Sequence, residues 1–197
     1  MKLTIIAGSQ RARSQSLKVA YYLEGLAAEH FDSTQVLDLH ALNLPLWNEG
    51  VWRKTEEWTP WFSIADQLAE SDAFIFITPE WHGMVTPALK NFLMLTTAKE
   101  LANNPALAVS VSASLNGVYP ISELRMTASK NNHVCLIPDH LIFRGIETLL
   151  DEKSMCTNDH MAQRSIYTIE LLAAYAHALK PVHLAMLEKG QPFAYGM

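Results

Sequence analysis

Glycine-rich nucleotide-binding motifs are absent from this sequence. Its eight glycines form neither G-x-G-x-x-G nor G-x-x-x-x-G-K-S/T at any point, which argues against the dinucleotide-binding and P-loop classes. Cysteine is also scarce, since Cys135 and Cys156 are the only two and match no C-x-x-C or zinc spacing. We therefore expect two buried free thiols with no redox role.

Positive charge and long apolar runs are lacking as well. The chain has 15 lysines and arginines against 20 aspartates and glutamates, a net charge of −5, whereas nucleic-acid binding needs a concentrated basic surface. No apolar run approaches the roughly 20 residues that span a bilayer, and no basic and apolar leader follows Met1. We expect a cytoplasmic protein with no nucleic-acid partner and no membrane partner.

Motifs for metal and hydrolase chemistry are missing too. The eight histidines show no H-E-x-x-H or comparable spacing, and no G-x-S-x-G follows a strand-like segment, so we expect neither a metal site nor a hydrolase triad. What the chain does have is 49% hydrophobic residues over a length of 197, enough for one well-packed domain. We predict a single domain over residues 1–197, with 180–197 as a C-terminal tail.

Five apolar segments of strand length alternate with helical patterns. They are Leu3 to Ala7, Gln35 to Leu39, Ala73 to Thr78, Ala106 to Ser112 and His133 to Pro138. Such runs without polar alternation suit strands covered on both faces, as in a parallel sheet. The right-handed crossover rule then favours a doubly wound α/β fold of three layers.

Helices are indicated by apolar stripes and by capping residues. The two stripes are Val19, Leu23, Leu26 and Ala27 near the start, and Ile166, Ile169, Ala173 and Ala176 near the end. Two further helices are predicted to begin near Thr86-Pro87, with Thr86 as the cap, and near Tyr119-Pro120, the latter running to about Lys130.

The segment from Leu42 to Pro60 is irregular and rich in tryptophan. It carries Trp47, Trp52 and Trp58, with Trp61 just beyond. A loop of about twenty residues inside a compact domain is uncommon and tends to be functional. We favour a subunit interface or a site wall here, because tryptophan is enriched at interfaces, over a satellite core.

The segment from Ile5 to Ser16 runs from a buried strand into a polar loop at a helix start. A helix opening at about Leu17 presents unpaired backbone N–H groups, while Ser9, Ser14 and Ser16 offer hydroxyls and Arg11 a positive charge. With Gly8 as its single glycine, such a loop suits one terminal phosphate. The alternative is that Ser14 or Ser16 only caps the helix and the arginines are solvated.

Two later loops carry further unusual chemistry. Residues 79–85 follow the third strand and read P-E-W-H-G-M-V, and residues 112–119 follow the fourth and read S-A-S-L-N-G-V-Y. In open α/β sheets, ligands bind outside the carboxyl ends of the strands, so these loops and the first are expected to converge. A planar aromatic ligand with a phosphate tail would fit them.

These three loops resemble the motifs of the NADPH-dependent FMN reductase family, the flavodoxin-like group that includes quinone, chromate and azo-dye reductases. The family pattern G-S-x-R-x-x-S-x-N/S is met by Gly8, Ser9, Arg11, Ser14 and Ser16. The pattern P-E-Y-N-x-S-x-P-x-x-L-K-N is met by Pro79, Glu80, Leu89, Lys90 and Asn91. The third pattern, a glycine pair before a helix with L-R, appears as Asn116-Gly117 and Leu124-Arg125.

The second pattern also shows departures from the family. Trp81 stands where tyrosine is usual, His82 where asparagine is usual and Met84 where serine is usual, while Thr86-Pro87 shifts the proline by one position. The resemblance covers about residues 1 to 180.

The resemblance implies a flavodoxin-like sheet of order 2-1-3-4-5, bound FMN, and NADPH or NADH as co-substrate. The cofactor-binding residues it implies are Ser9, Arg11, Ser14, Gln15, Ser16, Pro79, Glu80, Trp81, His82, Gly83, Ser114, Asn116 and Gly117. Hydride chemistry would belong to the flavin, so we expect no catalytic side chain beyond a tuning role for His82.

The resemblance further implies a small-molecule electron acceptor and a homodimer or homotetramer. Two alternatives stay open at this point. One is a flavodoxin-like carrier that holds FMN without oxidising NAD(P)H directly. The other is a protein that uses the same fold to bind a different phosphate compound.

Overall fold

A computed structural model of the protein describes residues 1–190. Within them, one sheet of five parallel strands has the order β2-β1-β3-β4-β5. The strands are β1 Lys2–Ala7, β2 Ser33–Asp38, β3 Ala73–Pro79, β4 Pro105–Val111 and β5 Cys135–Phe143. Both the fold class and the strand order that were expected are confirmed.

Helices and short turns connect the strands. The helices are α1 Gln15–Ala27, α2 Leu39–Leu42, α3 Gly50–Arg53, α4 Thr59–Ala69, α5 Pro87–Leu95, α6 Ala98–Leu101, α7 Val118–Thr127, α8 Ile146–Leu149 and α9 Asp159–Lys189, with a 3₁₀ turn at Glu56–Trp58.

The sheet is covered on both faces, which explains why its central strands β1, β3 and β4 are mainly apolar. On one face, Leu3 and Ile5 of β1 belong to a buried cluster with residues of α1 and α9. On the other face, Ile6 belongs to a cluster with Phe92 of α5 and Leu124 of α7. Since consecutive strand residues point to opposite faces, a strand in this position carries apolar side chains on both of its faces.

The last helix differs from expectation in two ways. Of its predicted stripe, Ile169, Ala173 and Ala176 are buried but Ile166 is 43% exposed. The helix also continues to Lys189, so residues 180–189 are not a tail. Nδ1 of the buried His183 ring lies within hydrogen-bond distance of the Ala102 carbonyl oxygen, at 2.8 Å. This contact anchors the last turns of α9. Residues 191–197 of the predicted tail lie outside the described residues.

The tryptophan-rich segment divides between core and surface. Trp58 and Trp61 are buried against the sheet, so the preference for an interface or site wall is wrong for these two side chains. Trp52 is 70% exposed and packs edge-to-face on Trp47, with ring centroids 5.0 Å apart.

The two cysteines are free, as predicted, but each is half-buried rather than buried. Burial nevertheless raises the pKa of the Cys135 thiol. Within residues 1–190, no helix combines the length and hydrophobicity needed to cross a bilayer.

Candidate active site

Three loops lie side by side at the carboxyl edge of the sheet, because β1, β3 and β4 are neighbours. The Gly8 N–H donates to the Ile77 carbonyl at 2.7 Å, and the Glu80 N–H donates to the Val111 carbonyl at 2.9 Å. A side chain at Gly8 would place its Cβ 2.5 Å from the Ile77 oxygen. The first loop can therefore approach β3 this closely only with glycine.

The loop after β1 combines a helix cap with an unused hydroxyl. Ser14 caps α1, which begins at Gln15 rather than at about Leu17, and its Oγ accepts the Leu17 N–H at 3.1 Å. Ser9 is buried, and its Oγ accepts the Arg11 N–H at 3.2 Å. Ser16 is only 1% exposed, and its hydroxyl has no hydrogen-bond partner within the described residues. Capping therefore accounts for Ser14 but not for Ser16.

Exposed polar side chains complete this first loop. Arg11 and Gln15 are exposed, and within residues 1–190 Arg11 makes no ion pair at 4.0 Å or less. Lys18 is committed elsewhere, because its amine donates to the Leu150 carbonyl at 2.8 Å. Arg11 is thus available as a cation beside the start of α1.

The loop after β3 is a tight hairpin. Trp81 and Met84 exchange backbone hydrogen bonds of 3.3 and 2.9 Å. Between them, His82 and Gly83 have φ values of +52° and +72°, the left-handed pair typical of a type I′ turn. Trp81 is half-buried, whereas His82 and Met84 are exposed.

The hairpin is fastened to the first loop by Thr86. Its buried hydroxyl donates to the Gly8 carbonyl and accepts the Leu89 N–H, which caps α5 as predicted. The next contact, from the Val85 N–H to Glu123 Oε2 at 2.7 Å, ties the hairpin to α7.

The loop after β4 is held to its two neighbours. The Gly117 N–H donates to Glu80 Oε2 at 2.8 Å, and Arg144 Nε donates to the Asn116 carbonyl at 2.8 Å. Gly117 has a φ of +106°, and a Cβ there would lie 2.5 Å from Ile142 Cγ2. Glycine is therefore required here by both conformation and space.

A cleft of about 560 Å³ opens between the second and third loops. Its lining residues are Glu80, His82, Gly83, Ser112, Ala113, Ser114, Asn116 and Tyr119. Five of the residues expected from the sequence thus line one space, whereas Ser9 to Ser16 do not. Tyr119 was expected at the end of the loop after the fourth strand and at a helix start, but it was not named among the cofactor-binding residues.

Glu123 was not among the residues expected at the site, because it lies inside α7 and is not itself part of the Leu124-Arg125 motif that follows it. Burial raises the pKa of this carboxyl, but hydrogen bonds from the Lys90 amine and the Val85 N–H outweigh burial and hold the pKa below its usual range. The carboxylate therefore stays charged at neutral pH and keeps both the hairpin and α5 in place.

Residues 1–147 match the family model of NADPH-dependent FMN reductases. The chain belongs to this family. The resemblance drawn from the three loop motifs is thereby confirmed, and in this FMN reductase family member the loops in which the three motifs begin lie at one edge of the sheet.

Curated relatives of this family member include quinone reductases and azoreductases. A quinone reductase of Pseudomonas putida is 29% identical over 121 residues, which are 59% of this chain and 63% of the relative. An FMN-dependent NADPH-azoreductase of Staphylococcus saprophyticus is 26% identical over 132 residues, 64% of this chain and 68% of the relative. The match thus spans less than two thirds of the quinone reductase.

Solved structures support the fold. The flavoenzyme NAD(P)H:acceptor oxidoreductase FerB of Paracoccus denitrificans has a TM-score of 0.73 at 18% identity, covering 90% of this chain and 98% of that chain. The apo form of the NADH:FMN oxidoreductase EMOB has a TM-score of 0.70 at 18% identity, with 88% of each chain covered.

Proposed function

We propose that the protein is an NAD(P)H-dependent FMN oxidoreductase that passes reducing equivalents from NADPH or NADH to a small acceptor such as a flavin or a quinone. The observation that carries this proposal is the Ser16 hydroxyl, which is buried and unpaired in the first turn of α1. Buried polar atoms normally have partners. A phosphate at the helix start would supply one, and the resemblance to the family implies that the FMN phosphate binds at this motif.

The first loop fits a phosphate monoester. Ser9 and Ser16 each have a hydroxyl proton to donate, Arg11 adds a charge without an ion-pair partner, and Gln15 lies at the exposed start of α1. Ser14 contributes by capping, which sets the direction of the first turn. Helix-start amides and a guanidinium together favour a dianion.

The second and third loops fit a planar ring system in the cleft. In the hairpin, the backbone N–H groups of Glu80, Trp81, Met84 and Val85 are already bonded, whereas those of His82 and Gly83 have no partner within residues 1–190. These two amides are therefore the hairpin donors left for a ring with carbonyl and imine acceptors.

The remaining ring-site residues act through shape and loop position. Pro79 ends β3, Trp81 forms one arm of the hairpin, and Ser114 and Asn116 line the cleft. The Gly117 N–H is committed to Glu80, so Gly117 contributes the space that its missing side chain leaves.

Bound FMN would supply the hydride chemistry, accepting a hydride from NAD(P)H and passing electrons to the acceptor. The chain itself binds the phosphate, orients the ring and leaves one side of the cleft open for substrates. Amide N–H groups near the ring favour its reduced, anionic form.

Substitution of Ser16 tests the phosphate site with two readouts of opposite sign. Ser16→Ala removes an unpaired buried hydroxyl, so the unfolding free energy of the apoprotein stays equal or rises. The Kd of FMN, measured by quenching of flavin fluorescence, rises about tenfold because one hydrogen bond to a charged group is lost.

Ser165→Ala is the matched control. Ser165 is also a fully buried helical serine, but it belongs to α9 rather than to one of the three loops, and its hydroxyl donates to the Met161 carbonyl at 2.8 Å. We expect it to lower stability slightly and to leave FMN affinity unchanged. If added FMN caused no change in the visible spectrum of the wild-type protein, the proposed cofactor would be wrong. FMN binding without NAD(P)H oxidation would indicate an electron carrier.

We further propose that the protein works as a homodimer or homotetramer in the cytoplasm. Exposed large apolar side chains in the tryptophan-rich segment support assembly, since Leu46 is 76% exposed and Trp52 70% exposed. Use of NAD(P)H and two free cysteines are in keeping with a reducing compartment. Light scattering during gel filtration and cell fractionation test these two points.

A further inference from the structure

His82 has a left-handed backbone conformation, which asparagine adopts more readily than histidine. Its φ of +52° is left-handed, and it is followed by Gly83 in the two-residue hairpin turn. Type I′ turns favour asparagine at this first position, because its short side chain tolerates the left-handed region better than other residues with a Cβ. Observed strain of this kind at a cleft is a reason to look for a function.

The His82 side chain is exposed on the wall of the cleft. Within residues 1–190, no hydrogen bond or ion pair engages its imidazole, so both ring nitrogens are available to a ligand. The hairpin tip also lies close to the opposite wall, because a Cβ at Gly83 would be 3.8 Å from the Tyr119 ring. A substrate that enters between the walls therefore meets His82.

We propose that His82 is the proton donor to the electron acceptor in this cleft. The inference rests on the proposed function, since it requires a hydride delivered from the reduced flavin. When a quinone takes that hydride, one of its oxygens becomes anionic. The imidazolium N–H bond of His82 breaks, its proton forms the O–H bond of the hydroquinone, and the neutral imidazole takes a new proton from water.

The other ionisable groups around the cleft are less suited to this step. Glu80 uses one carboxylate oxygen on the Gly117 N–H, and Arg144 is held by the Asn116 carbonyl. Lys90 and Glu123 form an ion pair with each other next to the hairpin. Tyr119 offers a phenol, which is by type a much weaker acid than an imidazolium. An imidazole changes its charge near neutral pH, which suits a general acid.

Two acceptors separate proton donation from electron transfer. Benzoquinone takes two electrons and two protons in total, whereas ferricyanide takes one electron and no proton. In His82→Asn, the ratio of benzoquinone to ferricyanide turnover, each expressed per bound FMN, is expected to fall at least about tenfold. His82→Gln serves as a second variant with the same expectation.

Two further readouts exclude a merely structural role. His82→Asn relieves the backbone strain, so its thermal midpoint is expected to rise by about 1–2 °C. A general acid loses its proton as the pH rises, so the benzoquinone rate of the wild-type protein is expected to decline with increasing pH. This decline is expected to be absent in the variant.

His133→Asn is the matched control. His133 is also left-handed, with a φ of +56°, but it precedes β5 and lies at the opposite edge of the sheet. It is expected to leave the ratio of turnovers unchanged. An unchanged ratio or an unchanged pH profile in both His82 variants would overturn the proposal for His82 alone. If the FMN-loaded wild-type protein reduced neither benzoquinone nor ferricyanide, the proposed function itself would be overturned.

Discussion

Glu80, in the hairpin loop after β3, accepts a hydrogen bond at 2.8 Å from the backbone N–H of Gly117, in the loop after β4. A second carboxylate, that of Glu123 in α7, accepts a hydrogen bond from the Val85 N–H of the hairpin at 2.7 Å. Two carboxylates on opposite sides therefore hold the two walls of the cleft to each other. The width of the cleft depends on side chains that are not themselves expected to transfer electrons.

Replacing Glu80 tests its part in this arrangement. Glu80→Ala leaves the Gly117 N–H without a partner, which is expected to lower the free energy of unfolding by about 1–3 kcal/mol and to weaken FMN binding. Glu80→Gln keeps an oxygen acceptor in nearly the same place and is expected to lose less than half as much. Urea unfolding and FMN titration measure both effects, and equal losses in the two variants would contradict the role of the hydrogen bond.

A pair of glycine substitutions tests the close approach of the first loop to β3. Gly8→Ala puts its Cβ 2.5 Å from the Ile77 carbonyl oxygen, and because backbone must move, we expect a loss of about 1–3 kcal/mol. Gly25→Ala lies in α1 with nothing within 4 Å of the new Cβ. It is expected to stabilise the protein by about 0.5–1 kcal/mol through helix propensity. Urea unfolding measures the free energy of unfolding of both variants. Destabilisation by Gly25→Ala would contradict the explanation that the loss in Gly8→Ala comes from the contact with Ile77.

The pH dependence of stability is expected to reflect Glu123. Its pKa in the folded protein lies below the usual value of 4.5, so its stabilising contribution is complete above that value and is lost as the pH falls through the folded-state pKa. Glu123→Gln is therefore expected to be less stable than the wild type at pH 7 and to lose less stability on acidification. Urea unfolding at pH 7 and pH 4 compares the two.

The control for this experiment is Glu29→Gln, at an exposed position beyond the end of α1. We expect this variant to match the wild type in its acid dependence. An acid dependence in Glu123→Gln as steep as that of the wild type would show that other carboxyls, such as Asp72, account for it. Asp72 also has a lowered pKa, because bonds from the Lys180 amine and the Lys2 N–H outweigh the effect of its burial.

Strand β5 shows where local patterning misleads. A strand ending at Pro138 was expected, yet β5 continues to Phe143. The register with β4 shifts between Ala106 and Ala108, and Pro138 lies at this irregularity, where its missing N–H costs no ladder bond. Arg125 of α7 donates to the carbonyls of Ile137, Pro138 and Asp139 at 2.7–3.0 Å, which a sequence pattern does not reveal.

The candidate site divides in the same way. The helix cap at Ser14, the cap at Thr86 and the polar loops after buried strands follow from residue types at short spacing, and so they were visible in the sequence. Other features were not visible in the sequence. The hydrogen bond between Glu80 and Gly117 joins residues 37 positions apart, and the one between Glu123 and Val85 joins residues 38 positions apart. The unpaired state of the Ser16 hydroxyl depends on its burial in the folded protein.

Local patterning was thus sufficient to find the five strands and to place the helix starts to within a few residues, because hydrophobic periodicity and capping act over short spans, but it did not find the end of β5. The tertiary structure decided which backbone amides remain free, which carboxylates hold the cleft and that His82 faces it with an unengaged ring. These properties arise only when distant segments pack together, since hydrogen-bond satisfaction and burial belong to the whole fold rather than to any one segment.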